Sequence, residues 1–367
     1  MKKKLLSLLL TLSMVLSLAA LAGCSNGTPA DSAAPSSNAP SGGDGSSAPP
    51  TFHLTMAATV NENELGGQIM NEFIRYVTEH TDGNVTFETF YGGILATNAE
   101  ELALVSSGAV DLIPLGHNPY GDQLPLLCGP SWVNGSEEEA LDFFNYLVFE
   151  NEETAPLLQA EAAAQNIVYL GFQPSGKNAF VAKPEGSSFA DFAGKQLGAA
   201  ANHELFQSLG LVVVTTPPGD VYEGLSRGII DMARLSFTAA INNKWYEVAK
   251  NWLLDGTSAA GSPFTMNLDT WNSLPEDYQQ VFYDAAEHAA QYGLQLSTES
   301  FDTDVAFLEE QGCTVGEFSQ EDQELFFSQL IDVTLASCRD RAERLGITEN
   351  EEIVIAATLD YLGLSEG

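Results

Sequence analysis

Arg234 is the residue with the most chemistry to offer in this sequence. Lysine and arginine together number 14 among 367 residues, and this arginine directly follows a predicted buried strand, 229–232. A guanidinium at the end of a parallel strand can offer a two-pronged donor to a carboxylate, at the edge where α/β proteins place their ligands. The other reading is an ion pair with Asp231 or a neighbouring acid, which an acid-rich chain makes easy. His117 and Asn118 leave a second predicted strand, 110–115, at its ligand-facing end; His117 reads either as a ligand contact or as an ordinary histidine. Asn61 lies in the turn after the first predicted strand. Lys177 and Asn178 close a loop, 171–178, in a half of the chain poor in cations. Nothing arms a nucleophile: G-x-S-x-G, H-E-x-x-H and paired Cys/His patterns are absent, and there are five histidines in all. Phosphate loops of the G-x-G-x-x-G and G-K-[ST] kinds are absent too, so neither a cofactor nor a metal is expected.

The elements that must position these residues follow from hydrophobic period. Strands at 196–200, 211–216 and 229–232 alternate with helices at 203–209 and 217–227, the second opened by Pro217-Pro218 and stopped by Gly228. Upstream, strands at 52–58, 85–90 and 110–115 alternate with helices at 65–80 and 98–107. Such β-α-β runs imply right-handed crossovers and parallel sheets. Residues 134–165 read as an acid-rich helical segment, 167–172 as a strand crossing toward a second domain, and 179–182 as a strand. Beyond 237 the pattern is helical around 245–254, extended at 264–268, and helical again from 278 to about 310, long enough to run along both domains. Helices at 320–344 and 350–362 finish the chain.

Residues 1–23 are set apart. Lys2–Lys4, an apolar run and Leu21-Ala22-Gly23-Cys24 make a secretory signal that resembles a bacterial lipoprotein signal, in which Cys24 is acylated. Residues 24–50, rich in Ser, Gly, Pro and Ala, form a flexible tether. The expected location is therefore extracytoplasmic, on the outer face of the cytoplasmic membrane, held by lipid alone. A net charge of −36 excludes nucleic acid and anionic lipid surfaces as partners. It also means that an anionic ligand needs a local positive group. Cys128, Cys313 and Cys338 form no C-x-x-C pair; a Cys313–Cys338 disulfide and three buried thiols both stand.

Several stretches, in order, resemble the extracytoplasmic solute receptors of tripartite ATP-independent (TRAP) transporters, of the dicarboxylate-binding (DctP) type. They are Asp82-Gly83, Tyr91-Gly92-Gly93-x-Leu95, Ser107-Gly108-Ala109-Val110-Asp111 and Phe189-Ala190-Asp191-Phe192-Ala193-Gly194-Lys195. Asp220-Val221-Tyr222-x-x-Leu225-x-x-Gly228-x-x-Asp231 and Trp271-Asn272-Ser273-Leu274-Pro275 continue the series. The resemblance implies an α/β, two-lobed, periplasmic-binding-protein-like (type II) fold, with a ligand cleft between the lobes and a long helix crossing both. It implies lobe 1 at 51–172, completed near 233–265, lobe 2 at 173–232, completed by part of 266–310, and C-terminal helices at 311–367. It further implies closure on a small, usually acidic, solute, delivery to a membrane permease, and no catalysis. The family's clamp arginines fall here at Gly198 and Asn178, so the usual fork is missing; Arg234 is the candidate replacement, with Phe172, Trp132 and Phe237 as candidates to line the enlarged space.

The leading reading is a lipid-anchored receptor for an organic acid. The receptor of an ATP-driven importer and a ligand-presenting sensory subunit are the alternatives among binding proteins. A secreted hydrolase is the alternative among enzymes, where scattered acids could make a glycosidase pair but no barrel or repeat supports one.

Overall fold

The computed structural model describes residues 49–116, 118–129, 132–200 and 202–365. The signal, the tether with Cys24, and His117 lie outside them. β1 (Phe52–Ala57), α1 (Leu65–His80) and β2 (Val85–Phe90) form the first crossover, with β1 and β2 parallel from Phe52↔Val85 to Ala57↔Phe90. The apolar stripe of α1, Ile69, Phe73 and Val77, is fully buried. α2 (Glu101–Ser106) leads to β3 (Leu112–Pro114), which lies parallel to β1. β4 (Trp132–Asn134) precedes α3 (Glu137–Asn145), opened by a Ser136/Glu139 capping box. The expected helical run 134–165 is therefore divided: a π turn at Tyr146–Glu150 separates α3 from α4 (Ala155–Ala164).

β5 (Ile167–Pro174) completes this part and β6 (Asn178–Ala182) begins the next. β7 (Gln196–Ala199), α5 (His203–Ser208), β8 (Val212–Thr215), α6 (Val221–Arg227) and β9 (Met232–Ser236) follow in close agreement with the pattern. One strand moves: the expected 229–232 starts at Met232 instead. The amides of Ile229 and Ile230 are spent on the Gly224 carbonyl, closing α6 around Gly228 at φ +70°. Arg234 consequently lies inside β9 rather than after a strand.

α7 (Phe237–Asn242) is short, and the expected helix around 245–254 gives way to β10 (Asn251–Leu254). β11 (Thr257–Asn267), α8 (Leu268–Ser273), α9 (Glu276–Glu310), β12 (Thr314–Glu317), α10 (Gln320–Leu345) and α11 (Thr348–Tyr361) complete the order. β12 was not legible as a strand: four residues with one half-buried valine carry no alternation.

Two sheets result, as the two-lobed class requires. The first runs β2-β1-β3-β11-β4, with β5 also on β11; the second runs β12-β10-β6-β9-β7-β8. The strands at 232–236 and 251–254 thus belong to the second sheet, and completion of lobe 1 begins only at Thr257, not near 233. Phe73 stacks on Phe264 at 5.0 Å and meets Phe282 edge-on, which fixes α1 and α9 on the lobe 1 sheet. In lobe 2, Phe180 is ringed edge-on by Phe189, Phe206, Phe318 and Phe326. α9, about 50 Å long, buries Phe282, Ala285 and Ala289 in lobe 1 and Leu308 in lobe 2. Gly171 permits its close approach, since a Cβ there would lie 3.1 Å from that of Ala286. No disulfide joins Cys313 to Cys338; both are buried thiols.

Candidate functional site

Strand directions locate the site. β1, β2, β3 and β5 run parallel in lobe 1, and β7, β8, β9 and β10 run parallel in lobe 2. β5 leaves the carboxyl edge of the first sheet at Pro174. β6 enters the second sheet at Asn178, opposite Ser236 at the end of β9. β10 ends at Leu254 on that edge and β11 starts at Thr257. Both carboxyl edges therefore meet at the two crossings, where an α/β protein holds its ligand.

The lobe 1 rim is braced from beneath. Glu101 is 1% exposed and accepts from the Gly116 amide at 2.9 Å and the Thr59 hydroxyl at 3.1 Å, tying the ends of β1 and β3 together. Burial pushes its carboxyl up, and these two bonds pull it back. Asn61 is exposed in the β1–α1 loop, where its side-chain amide donates to Glu64 at 2.8 Å. Asn118 stands in a single 3-10 turn, Asn118–Tyr120.

Arg234 is not a free cation of the cleft. Its Nε donates to Asp255 at 2.6 Å and its Nη2 to the Thr257 hydroxyl at 2.8 Å, while its guanidinium lies about 5 Å from the rings of Trp132 and Phe326. Asp255 is fully buried, and its other oxygen accepts from the Thr257 amide and hydroxyl. The ion-pair reading holds, with a different acid from the nearest one. Asp231 accepts instead from the Gln196 amide at 2.9 Å, at the opposite, amino edge. β6 lies between β9 and β10, pairing Phe180 with both Arg234 and Leu253, and so brings Arg234 and Asp255 to its two sides. Trp132 belongs to lobe 1, so its ring over the guanidinium makes the pair a pin between the lobes.

Asn178 is buried beside this pin and donates weakly to the Thr257 carbonyl at 3.4 Å. Lys177 is exposed, with its ammonium 4.1 Å from the Phe301 ring centre. Both border a cavity of about 210 Å³ at the crossings, with Ser136, Thr257, Ser258 and Gln323. Glu137, missed in the sequence, clasps the crossing from α3: it accepts from the Gly176 amide at 3.1 Å and from Ser297 of α9 at 2.9 Å. Burial raises its carboxyl, chiefly.

Two aromatic candidates are core. Phe172 is 1% exposed and packs on Phe144 at 4.8 Å; Phe237 is 2% exposed and meets Trp252 and Phe301. Each points into a lobe because its strand or helix position faces the covering helices. Gly198 offers no enlarged space either. A Cβ built there would lie 2.6 Å from Ile230 Cδ1, so Ile230 and Thr216 occupy the room a longer side chain would need. Asp255-Gly256-Thr257 was the missed signal for the pin: a short turn carrying an acid between two apolar runs.

A family model described as bacterial extracellular solute-binding protein, family 7 (DctP), matches residues 138–338. A solute-binding protein of Sulfitobacter sp. is 27% identical over 280 residues, covering 74% of this chain and 83% of that protein. Among solved structures, a TRAP periplasmic solute-binding protein from Ochrobactrum anthropi, with its C-terminus bound in the ligand pocket, superposes with a TM-score of 0.72 at 19% identity. It covers 86% of this chain and 97% of that one. Another from Roseobacter denitrificans, with bound β-D-glucuronate, gives a TM-score of 0.65 at 18% identity, covering 83% and 99%.

Proposed function

Because this chain belongs to bacterial extracellular solute-binding protein family 7, we propose that it captures a small organic acid between its lobes and hands it to a TRAP-type permease. The observation that carries this reading is the meeting of both carboxyl edges at two short crossings, β5 to β6 and β10 to β11. Few backbone torsions need to change for one lobe to swing onto the other. A solute touching both rims stabilises the closed form by its extra affinity for that form. The glucuronate in the Roseobacter denitrificans relative supports an acid of similar size. Asn61 supplies the lobe 1 wall, and Asn178 with Lys177 the hinge wall. Trp132 and Arg234 serve the pin instead of the solute. The chain binds and releases without catalysis, and Cys24 carries the lipid that holds it to the outer face of the cytoplasmic membrane through the 24–50 tether.

The test is a thermal-shift screen of sugar acids, dicarboxylates and amino acids on the mature chain. A melting temperature that climbs with the logarithm of ligand concentration for a carboxylate is the expected result. A shift with no carboxylate in the screen, or turnover of any compound by the pure protein, sinks the reading.

A further inference from the structure

An acid bound in this cleft meets no unengaged guanidinium. Each of the six described arginines already faces a carboxylate of the chain. Lys183 and Lys250 donate to backbone carbonyls, both beyond the amino edge of the lobe 2 sheet, and Lys195 precedes β7 at that same edge. Lys244 caps a turn after α7. Among the described lysines, Lys177 is the one near the crossings, over Phe301. Besides Lys177, the backbone is the remaining source of positive potential, and the first turn of α1 supplies it.

α1 follows β1, so its N-terminus points at the carboxyl edge. It runs for 16 residues, and its N-cap residue Glu64 makes no side-chain cap; that carboxylate bonds Asn61 instead. The amides of Leu65, Gly66 and Gly67 have no acceptor among the described residues, whereas Gln68 closes the first helical bond onto Glu64. Gly67 is dictated by packing, since a Cβ there would run into the Asn61 and Glu62 carbonyls. Gly66 is not: the nearest atoms to its Cβ position are side-chain atoms of Val60 and Gln173, at 3.5 Å and beyond, an ordinary contact distance. The second observation is Gln173 itself. It occupies the penultimate position of β5, is 5% exposed, and its Oε1 has no hydrogen-bond partner. That oxygen lies 3.8 Å from the Gly66 Cβ position, directed at the helix start.

We propose that the first turn of α1 and the Gln173 side-chain amide form the carboxylate subsite of the cleft. The proposal rests on the organic-acid reading above. The helix N-terminus offers unpaired N–H donors and the positive end of the dipole. The Gln173 amide breaks no bond by a half-turn about its last torsion, which presents its NH₂ to the anion. Glu64, the N-cap acid, is turned onto Asn61. An uncharged carboxamide cannot draw the same dipole attraction, so the subsite selects the acid over its amide.

Isothermal titration of the mature chain tests this, with D-glucuronate, L-pyroglutamate, orotate and succinate, each beside its carboxamide. Gln173→Leu keeps the shape and removes the donors; Gln173→Glu adds a repelling charge. Expected are a loss of about tenfold or more in acid affinity for Gln173→Leu, a larger loss for Gln173→Glu, and little change for the carboxamides. Circular dichroism melting of each free variant checks folding. Equal acid affinity in wild type and both variants overturns the subsite and leaves the receptor reading standing. Failure of the wild type to bind any of the acids overturns both.

Discussion

Arg234 at the crossings and Arg341 on α10 are buried alike, and their surroundings part ways. Each side chain is 13% exposed and each faces a carboxylate with no exposure at all, Asp255 and Glu351 respectively. At the crossings every oxygen of Asp255 has a partner, from Arg234, from the Thr257 amide and from the Thr257 hydroxyl. On α10, Arg341 spends Nη2 on the Pro125 and Cys128 carbonyls, and its distance to Glu351 is 3.9 Å. Glu351 has the Cys338 thiol beside it, a weak donor, and neither of its oxygens is in hydrogen-bonding geometry; Arg341 Nε is orphaned as well. A second acid, Glu161, shares this neighbourhood, accepting from the Leu126 and Leu127 amides. One pair is complete and fixes a geometry. The other has two carboxylates for one guanidinium, and burial raises both carboxyls above their ordinary range.

The largest effect tests the complete pair. Asp255→Asn leaves Arg234 buried without its counter-charge, and a loss of about 3–5 kcal/mol is expected in urea unfolding. Joint replacement by Arg234→Met and Asp255→Leu recovers most of it, because the desolvation cost disappears with both charges. A loss below about 1 kcal/mol for Asp255→Asn breaks the comparison at its strong end.

The raised Glu161 carboxyl gives the next effect. Burial is the main force raising the Glu161 carboxyl to about 7, aided by Glu351 and opposed by its two amide donors and Arg341. Because the folded form holds the proton more tightly than the unfolded one, stability is greatest below the unfolded value and falls as pH rises toward 7. A decline of about 1 kcal/mol per pH unit is expected between roughly pH 4.5 and 7. Glu161→Gln flattens it. A wild-type profile rising across that window contradicts the assignment.

The smallest effect sits at the incomplete pair. Glu351→Gln replaces a buried carboxyl whose oxygens make no hydrogen bond, so a change within about 1 kcal/mol is expected, of either sign. A loss equal to that of Asp255→Asn would erase the contrast between the two sites.

Much of this fold could be read in the sequence, for reasons visible in particular residues. Ile69, Phe73 and Val77 mark the α1 stripe, and Gly228 with its positive φ ends α6 where a glycine stop is expected. Strand positions set by long-range pairing were less legible. Ile229 looks like the start of a strand, yet its amide closes a helix and its side chain is 52% exposed. Asn251–Leu254 continues a helical pattern and becomes a strand because β6 and β12 flank it. The site suffers the same limit. Arg234 was conspicuous by type, but its partner lies 21 residues on, across β6, and no local spacing points to it. Gln173 was invisible as a site residue: its unpaired oxygen becomes apparent once α1 packs beside β5.

Small-angle X-ray scattering of the mature chain, free and saturated with the strongest acid from the thermal screen, tests the central claim of closure about the two crossings. The account predicts a smaller radius of gyration in the saturated sample, with the Arg234–Asp255 pin retained in both states. An unchanged radius at saturating acid would contradict it.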